Sequence, residues 1–364
     1  MTYKEVLNLP KIELHCHLDG SISQECLEFL LGRNISSQEL EVSDDCDSLK
    51  TYLEKFKLPI AAIQTPDGLR AATFDLLRQA SNENVRYIEI RFAPLLSVNK
   101  RFTADQVLDA VIEGIQEGYR RFGIRSQIIV CLMRHHSLSD NFSLLYLVKR
   151  YLGKGVCAID LAGDEAAYPM NKFKDVFYEA KRMGIPFTIH AGECGSLENV
   201  IEAVQCGAQR IGHGIALRGH QEEINFCKER GIGIEMCPIS NLQTKAVRSK
   251  AEYPLREFLD NGLLATINTD NRTVSNTRIT KELLWIQSEY GITDQELIQL
   301  QKNAIEVSFA SETLKEELEQ YHVERVLEVQ KVVTKTMIGE EIGIDNLQER
   351  YFVLNGISPG IRSI

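Results

Sequence analysis

No two of the nine cysteines, scattered from Cys16 to Cys237, form a C-x-x-C pair, and their number is odd. This excludes a disulfide framework and a cysteine-built zinc ribbon, and fits a reduced, cytoplasmic chain. The opening stretch MTYKEVLNLPKIELHCHLDG lacks the basic-then-apolar order of a secretory signal, so none is expected. No apolar run approaches the ~18 residues that a membrane helix requires. Positive charge is also scarce: 41 Lys and Arg stand against 51 Asp and Glu, for a net charge of −10 and a pI near 5.4. An acidic surface repels phosphate backbones and anionic lipid, so neither nucleic acid nor membrane is expected as a partner. There is no G-x-x-x-x-G-K-[ST] loop and no G-x-G-x-x-G between a strand and a helix, which disfavours ATP and nicotinamide chemistry. Histidine is sparse too, at eight residues, and this makes the position of each one informative.

What is present is a repeated pattern of a short apolar run, a turn and a helical stretch. Strand-like runs fall at 11–17, 86–92, 127–132, 155–161, 186–190, 209–213, 231–236 and 264–270. Between them lie helical patterns such as 103–121, with Val107, Leu108, Val111, Ile112 and Ile115 on one face, and 171–183, with Phe173, Val176 and Phe177. Eight strands alternating with helices imply parallel βαβ units, and eight is the number that closes a (β/α)₈ TIM barrel. The expected fold class is therefore α/β, as one domain over 1–364. Residues 21–80 are too long for one crossover and are expected to supply extra helices capping the C-terminal mouth. Residues 278–337 read as helical, and the glycine-containing tail 338–364 as peripheral.

His15 and His17 end the first run, and side chains two apart on a strand share a face. Alone, His-x-His says little. His190 ends the fifth run, however, His213 the sixth and Asp270 the eighth. Active sites of TIM barrels lie at the C-terminal strand ends, so half of the histidines and a carboxylate point to one place. Imidazoles and a carboxylate converging there, without an ion, would be costly to desolvate. Three imidazoles with one carboxylate and an open position suit zinc, which acidifies a bound water to a pKa of roughly 7. Glu193, three residues beyond His190, reads either as a proton donor beside that site or as an ordinary acid in the first turn of a helix; the local sequence allows both. His135 and His136 follow the third strand. His220 and His322 fall in helical patterns, where a solvated face is the expectation. Cys16, between the two histidines, should point away from them.

The motifs Glu13-Leu14-His15-Cys16-His17-Leu18-Asp19-Gly20-Ser21, Asp160-Leu161-Ala162-Gly163-Asp164-Glu165, His190-Ala191-Gly192-Glu193, Gly212-His213-Gly214, Cys237-Pro238-x-Ser240-Asn241 and Asn268-Thr269-Asp270 occur in this order. Together they resemble the adenosine deaminases of the amidohydrolase superfamily, over about residues 8–320. The resemblance implies one Zn²⁺ per chain held by His15, His17, His190 and Asp270, and hydrolytic deamination of adenosine, as in purine metabolism, with 2′-deoxyadenosine as a further substrate. It casts Glu193 as the acid that protonates purine N1, His213 as the group that orients the water and takes its proton, and Asp270 as stabilising the tetrahedral intermediate. His17 would also face the substrate, Gly163 would offer its N–H to purine N3, and Asp19 would bind a ribose hydroxyl. Leu53 and Phe56 would belong to an apolar gate. Many members carry a second Asp after the ligand Asp to contact N7; here it is Asn271, whose amide can still donate a hydrogen bond.

Three other readings compete. A deaminase of adenine or a modified adenosine is disfavoured by Asp19, where related adenine deaminases carry Glu. A two-metal amidohydrolase would place a bridging Lys at the end of the fourth strand, where this chain has Asp160. A non-catalytic nucleoside-binding protein would be expected to have lost a ligand or Glu193, and all are present. The oligomeric state is not legible from sequence.

Overall fold

The computed structural model describes residues 1–43, 46 and 49–337; the expected peripheral tail, 338–364, lies outside them. Eight parallel strands form in chain order: β1 (Lys11–His17), β2 (Val85–Phe92), β3 (Arg125–Met133), β4 (Val156–Ala162), β5 (Thr188–Ala191), β6 (Arg210–His213), β7 (Gly233–Met236) and β8 (Leu264–Ile267). They run in two four-stranded sheets of order β1-β2-β3-β4 and β5-β6-β7-β8. Two seams join the sheets into a ring. Ile159 pairs with Phe187 between β4 and the approach to β5, and Cys16 pairs with Asp270 between β1 and the end of β8. The second seam carries two backbone hydrogen bonds, His17 N–H to Asp270 O (2.7 Å) and Asp270 N–H to His15 O (2.9 Å). The fold is thus the α/β barrel that the alternating pattern implies.

The crossover helices form for local reasons. The helix Ala104–Phe122 opens on a capping box, in which the Thr103 hydroxyl accepts from Gln106 N–H and the Gln106 side chain accepts from Thr103 N–H. It ends at Gly123, whose φ of 70° is left-handed. Its inner face buries Val107, Leu108, Val111 and Ile115 against the barrel, each contributing roughly 1.5–3 kcal/mol. Between β1 and β2 lie five described helices, among them Gln24–Leu31, Leu49–Leu53, Lys57–Ala62 and Pro66–Ser81, so the long insertion is helical as expected. After β8, helices Ile279–Tyr290, Asp294–Val307 and Glu312–Met337 complete the described chain.

Two expectations need correction. Asp270 does not end a strand: β8 stops at Ile267, and Asp270 sits three residues on with a left-handed φ of 59°. His322 is not solvated but 2% exposed, and burial, assisted by the charge of Lys302, lowers its pKa to about 4.

Inside the barrel, charge replaces much of the usual apolar filling. Arg91, Asp160, Arg210, Glu235 and Glu89 are fully buried. Arg91 bridges Asp160 (3.2 Å) and Glu235 (2.8 Å), while Arg210 joins Glu235 (2.6 Å) to Glu89. Buried charges persist only when paired and hydrogen-bonded, and every one of these is. The network lies beneath the histidines and fixes two of them.

Candidate active site

His15 and His17 leave the end of β1 side by side, His190 the end of β5, and Asp270 the segment after β8. His17 Nε2 is 3.2 Å from His190 Nε2, and Asp270 Oδ1 is 3.4 Å from both His15 Nε2 and His17 Nε2. One donor atom from each of the four side chains lies within 4.8 Å of the others. Donors bound about 2.0–2.1 Å from a tetrahedral zinc sit roughly 3.3 Å apart, so three of the observed separations match such a shell. The ring nitrogens are aimed by their far sides. His15 donates Nδ1–H to Glu235 (2.8 Å), and His190 donates Nδ1–H to Asp160 (2.8 Å). Each Nε2 is thereby left with a bare lone pair facing the cluster, and that of His15 is buried with no hydrogen-bond partner. A buried acceptor without a hydrogen-bond partner, set among three further donors, fits a cation site.

The electrostatics differ among the three rings. Burial lowers the pKa of His15, reinforced by Arg91, and lowers that of His17 further. Both rings are therefore neutral, the ligand form. For His190 burial acts in the same direction, but the Asp160 carboxylate outweighs it and the net shift is upward. Burial alone would raise Asp270, yet the net shift takes its carboxyl well below the usual range. Ser240 Oγ–H donates to Asp270 Oδ2 at 2.6 Å, leaving Oδ1 to face the histidines.

Around the cluster stand the other expected residues. Glu193 follows β5 with its side chain 10% exposed, and its Oε2 is 3.7 Å from His213 Nε2. His213 ends β6 at a left-handed φ of 68°. Left-handed backbone at two non-glycine residues of one site, His213 and Asp270, is strain concentrated where it orients function. Asn241 Nδ2 lies 2.9 Å from His213 Nδ1. With the amide in that orientation, the neutral ring carries its proton on Nε2. Turned by 180°, Asn241 Oδ1, which is buried and otherwise without a partner, accepts from Nδ1–H and leaves Nε2 bare.

Asp19 is 8% exposed, its Oδ1 has no hydrogen-bond partner, and burial raises its pKa to about 6. Gly163 lies just past β4 with a φ of 105°, which a side chain would not tolerate. Asn271 is buried and donates from Nδ2 to Tyr52 Oη (2.9 Å), and Tyr52 Oη also bonds Ser275 Oγ (2.7 Å). A cavity of about 450 Å³ opens beside Glu193 and is lined also by Leu53, Asp164 and Cys194. Leu53 thus stands in its wall, while Phe56 packs with Val42, Cys46, Tyr52 and Val274 beneath the cap. Cys16 turns away from the ligands toward Ser21 and Thr269. His135 is exposed just after β3, and His220 is exposed before helix Gln221–Glu229.

Reading by motif passed over Glu235, Arg91, Ser240 and Tyr52 as working parts. Charged residues standing inside apolar strands, as in RYIEIRF and GIGIEM, were the available signal for the first two.

An α/β barrel with three imidazoles and a carboxylate gathered at its strand ends defines a metal-dependent amidohydrolase. Residues 10–325 match the family model described as adenosine deaminase. An adenosine deaminase of Clostridium botulinum (strain Okra) is 43% identical over 325 residues, covering 86% of this chain and 97% of that protein. One of Enterococcus faecalis is 41% identical over 329 residues, covering 88% and 98%. The chain belongs to the adenosine deaminase family. Its fold is shared with an adenine deaminase of Arthrobacter aurescens (TM-score 0.79, 24% identity, covering 87% of this chain and 99% of that one). It is shared too with a Burkholderia ambifaria amidohydrolase with bound Zn (TM-score 0.80, 22%, covering 91% and 94%).

Proposed function

We propose that this enzyme deaminates adenosine to inosine and ammonia at a single zinc ion held by His15, His17, His190 and Asp270. Deamination of adenosine is the activity of its family, to which near relatives 41–43% identical along most of the chain belong. The observation that carries the zinc reading is the buried, partnerless Nε2 of His15 among three further donors. The donor set of imidazoles plus one carboxylate is a zinc set, and a fold relative binds Zn. Zinc bound there supplies a water acidified to a pKa of roughly 7.

The chain's own residues supply the rest. Glu193 holds a proton against purine N1, making C6 electrophilic. His213, turned by Asn241, accepts the proton of the attacking water through Nε2, and the same face then stabilises the tetrahedral carbon's oxygen. Gly163 N–H meets N3 at a position where its left-handed backbone leaves no side chain to obstruct the ring. Asp19, whose Oδ1 lacks a partner, accepts from a ribose hydroxyl. Asn271 donates to N7 and remains tied to Tyr52, while Leu53 shields the bound nucleoside from water. Among the described residues no helix is long and apolar enough to cross a membrane, and the substrate is a small molecule.

Glu193→Gln tests the acid. A positioned acid contributes about 10²–10⁴-fold, so turnover should fall by that factor with bound zinc unchanged. Turnover near that of the parent enzyme would remove Glu193 from the role.

A further inference from the structure

We propose that Glu165 is a positioning residue that holds the catalytic acid in place, acting through the backbone that carries it. The proposal rests on the assignment of Glu193 as that acid.

Glu165 lies two residues beyond Gly163 in the loop after β4 and is 2% exposed. Both carboxylate oxygens are filled, and all four donors come from the segment after β5. Oε1 accepts from Gly192 N–H (2.7 Å) and from Asn199 Nδ2–H (2.9 Å). Oε2 accepts from Glu193 N–H (3.0 Å) and Cys194 N–H (3.2 Å). Three successive amides therefore converge on one anion, the backbone arrangement of an anion nest. Gly192, with a φ of 80°, makes the bend that turns them inward, and a Cβ there would approach Val200 Cγ2 to 2.8 Å. Asn199 adds a second tie, because its Oδ1 accepts from Met170 N–H (2.8 Å) further along the β4 loop.

The geometry gives the clamp a function beyond folding. One end stands beside Gly163, the expected donor to purine N3. The other holds the peptide of Glu193, the expected donor to N1. Glu165 thus sets the spacing between two contacts on the same six-membered ring. Displacing an acid by about 1 Å can cost 10²-fold in rate, so a clamp on its own peptide acts mainly on turnover. Glutamine in its place keeps the shape but offers one acceptor oxygen, and its NH₂ would face amide hydrogens.

The test compares Glu165→Gln with the parent enzyme, Glu193→Gln, and the double variant, measuring kcat and KM for adenosine together with bound zinc. We expect Glu165→Gln to lower kcat at least 30-fold, with KM within threefold and zinc unchanged. In the Glu193→Gln background the same change should cost less than threefold, since an acid that is absent cannot be misplaced. Equal losses in both backgrounds would mean general damage and overturn the proposal, as would an unchanged kcat. If Glu193→Gln alone keeps its turnover, the acid assignment fails and the proposal with it. That result is distinct from an inactive Glu193→Gln beside a fully active Glu165→Gln, which overturns the clamp alone. Should Glu165→Gln not fold, Asn199→Ala takes its place, removing one donor and leaving the carboxylate. A fall of fivefold or more in kcat, absent from the Glu193→Gln background, supports the proposal, and an unchanged kcat overturns it.

Discussion

Replacing Asp160 with asparagine probes how the metal cluster is held. Asp160 touches no ligand-facing nitrogen; it takes Nδ1–H of His190 at 2.8 Å and a guanidinium hydrogen of Arg91 at 3.2 Å. Its carboxyl is held well below the ordinary range, because His190 and Arg91 together overcome the cost of burial. Asparagine keeps one acceptor oxygen but loses the charge, and because Oδ2 takes both contacts while Oδ1 also lies 3.0 Å from His190 Nδ1, its NH₂ faces His190 in either orientation. A hydrogen bond to a charged group is worth about 1 kcal/mol more than a neutral one. Two such contacts weaken by about 2 kcal/mol in all, and His190 loses orientation and basicity with them. That equals a 10–100-fold loss of metal affinity, in line with other partners behind metal-bound histidines. The loss should stop there, because His15 keeps its own carboxylate, Glu235. Chelator competition on Asp160→Asn would read the zinc Kd directly, with activity partly restored at saturating zinc. An unchanged Kd would refute the reasoning that Asp160 tunes His190.

Two further outcomes are expected. Gly20→Ala would put a Cβ 1.9 Å from Asn271 Oδ1, and because Asn271 is buried and bonded to Tyr52 it cannot swing clear. Overpacking of about 1–3 kcal/mol should raise KM for adenosine about tenfold or more and leave zinc content alone; an unchanged KM would remove Asn271 from the purine pocket. Glu282 is buried, and burial raises its pKa to about 8, so it is protonated in the folded state at pH 7. The folded chain then binds more protons than the unfolded one between the ordinary pKa of 4.5 and about 8, so this group's contribution to stability falls as pH rises through that window. Glu282→Gln should remove the dependence and raise stability above pH 8 by on the order of 4 kcal/mol. Melting curves of both forms from pH 5 to 9 check this, and parallel curves would contradict it.

The barrel was legible because most strands are short runs with β-branched or aromatic residues between turn residues, and period and spacing survive in sequence. The convergence of His15, His17 and His190 was legible because they stand at strand ends in a chain with few histidines. Asp270 shows the limit. Its backbone leaves the strand after Ile267, turns left-handed and pairs with β1, far away in the chain. His322 shows another: a helical pattern names a face but not what packs on it, and here the face is covered. That Glu235 and Asp160 stand behind the histidines was not legible for the same reason, although Asp160 was marked by its motif. Glu235 and Asp160 are separated from their histidines by 220 and 30 residues, and only the closed barrel brings them together.

The central claim is that one zinc ion at His15, His17, His190 and Asp270 serves deamination of adenosine, and a spectrum tests it most directly. Purified protein is incubated with adenosine, and in parallel with adenine and AMP, with bound zinc counted on the same sample. The account predicts conversion of the adenosine spectrum to that of inosine, faster than any change with the other two, with about one zinc per chain. No conversion after zinc has been supplied, or full conversion by a sample carrying no metal, would contradict it.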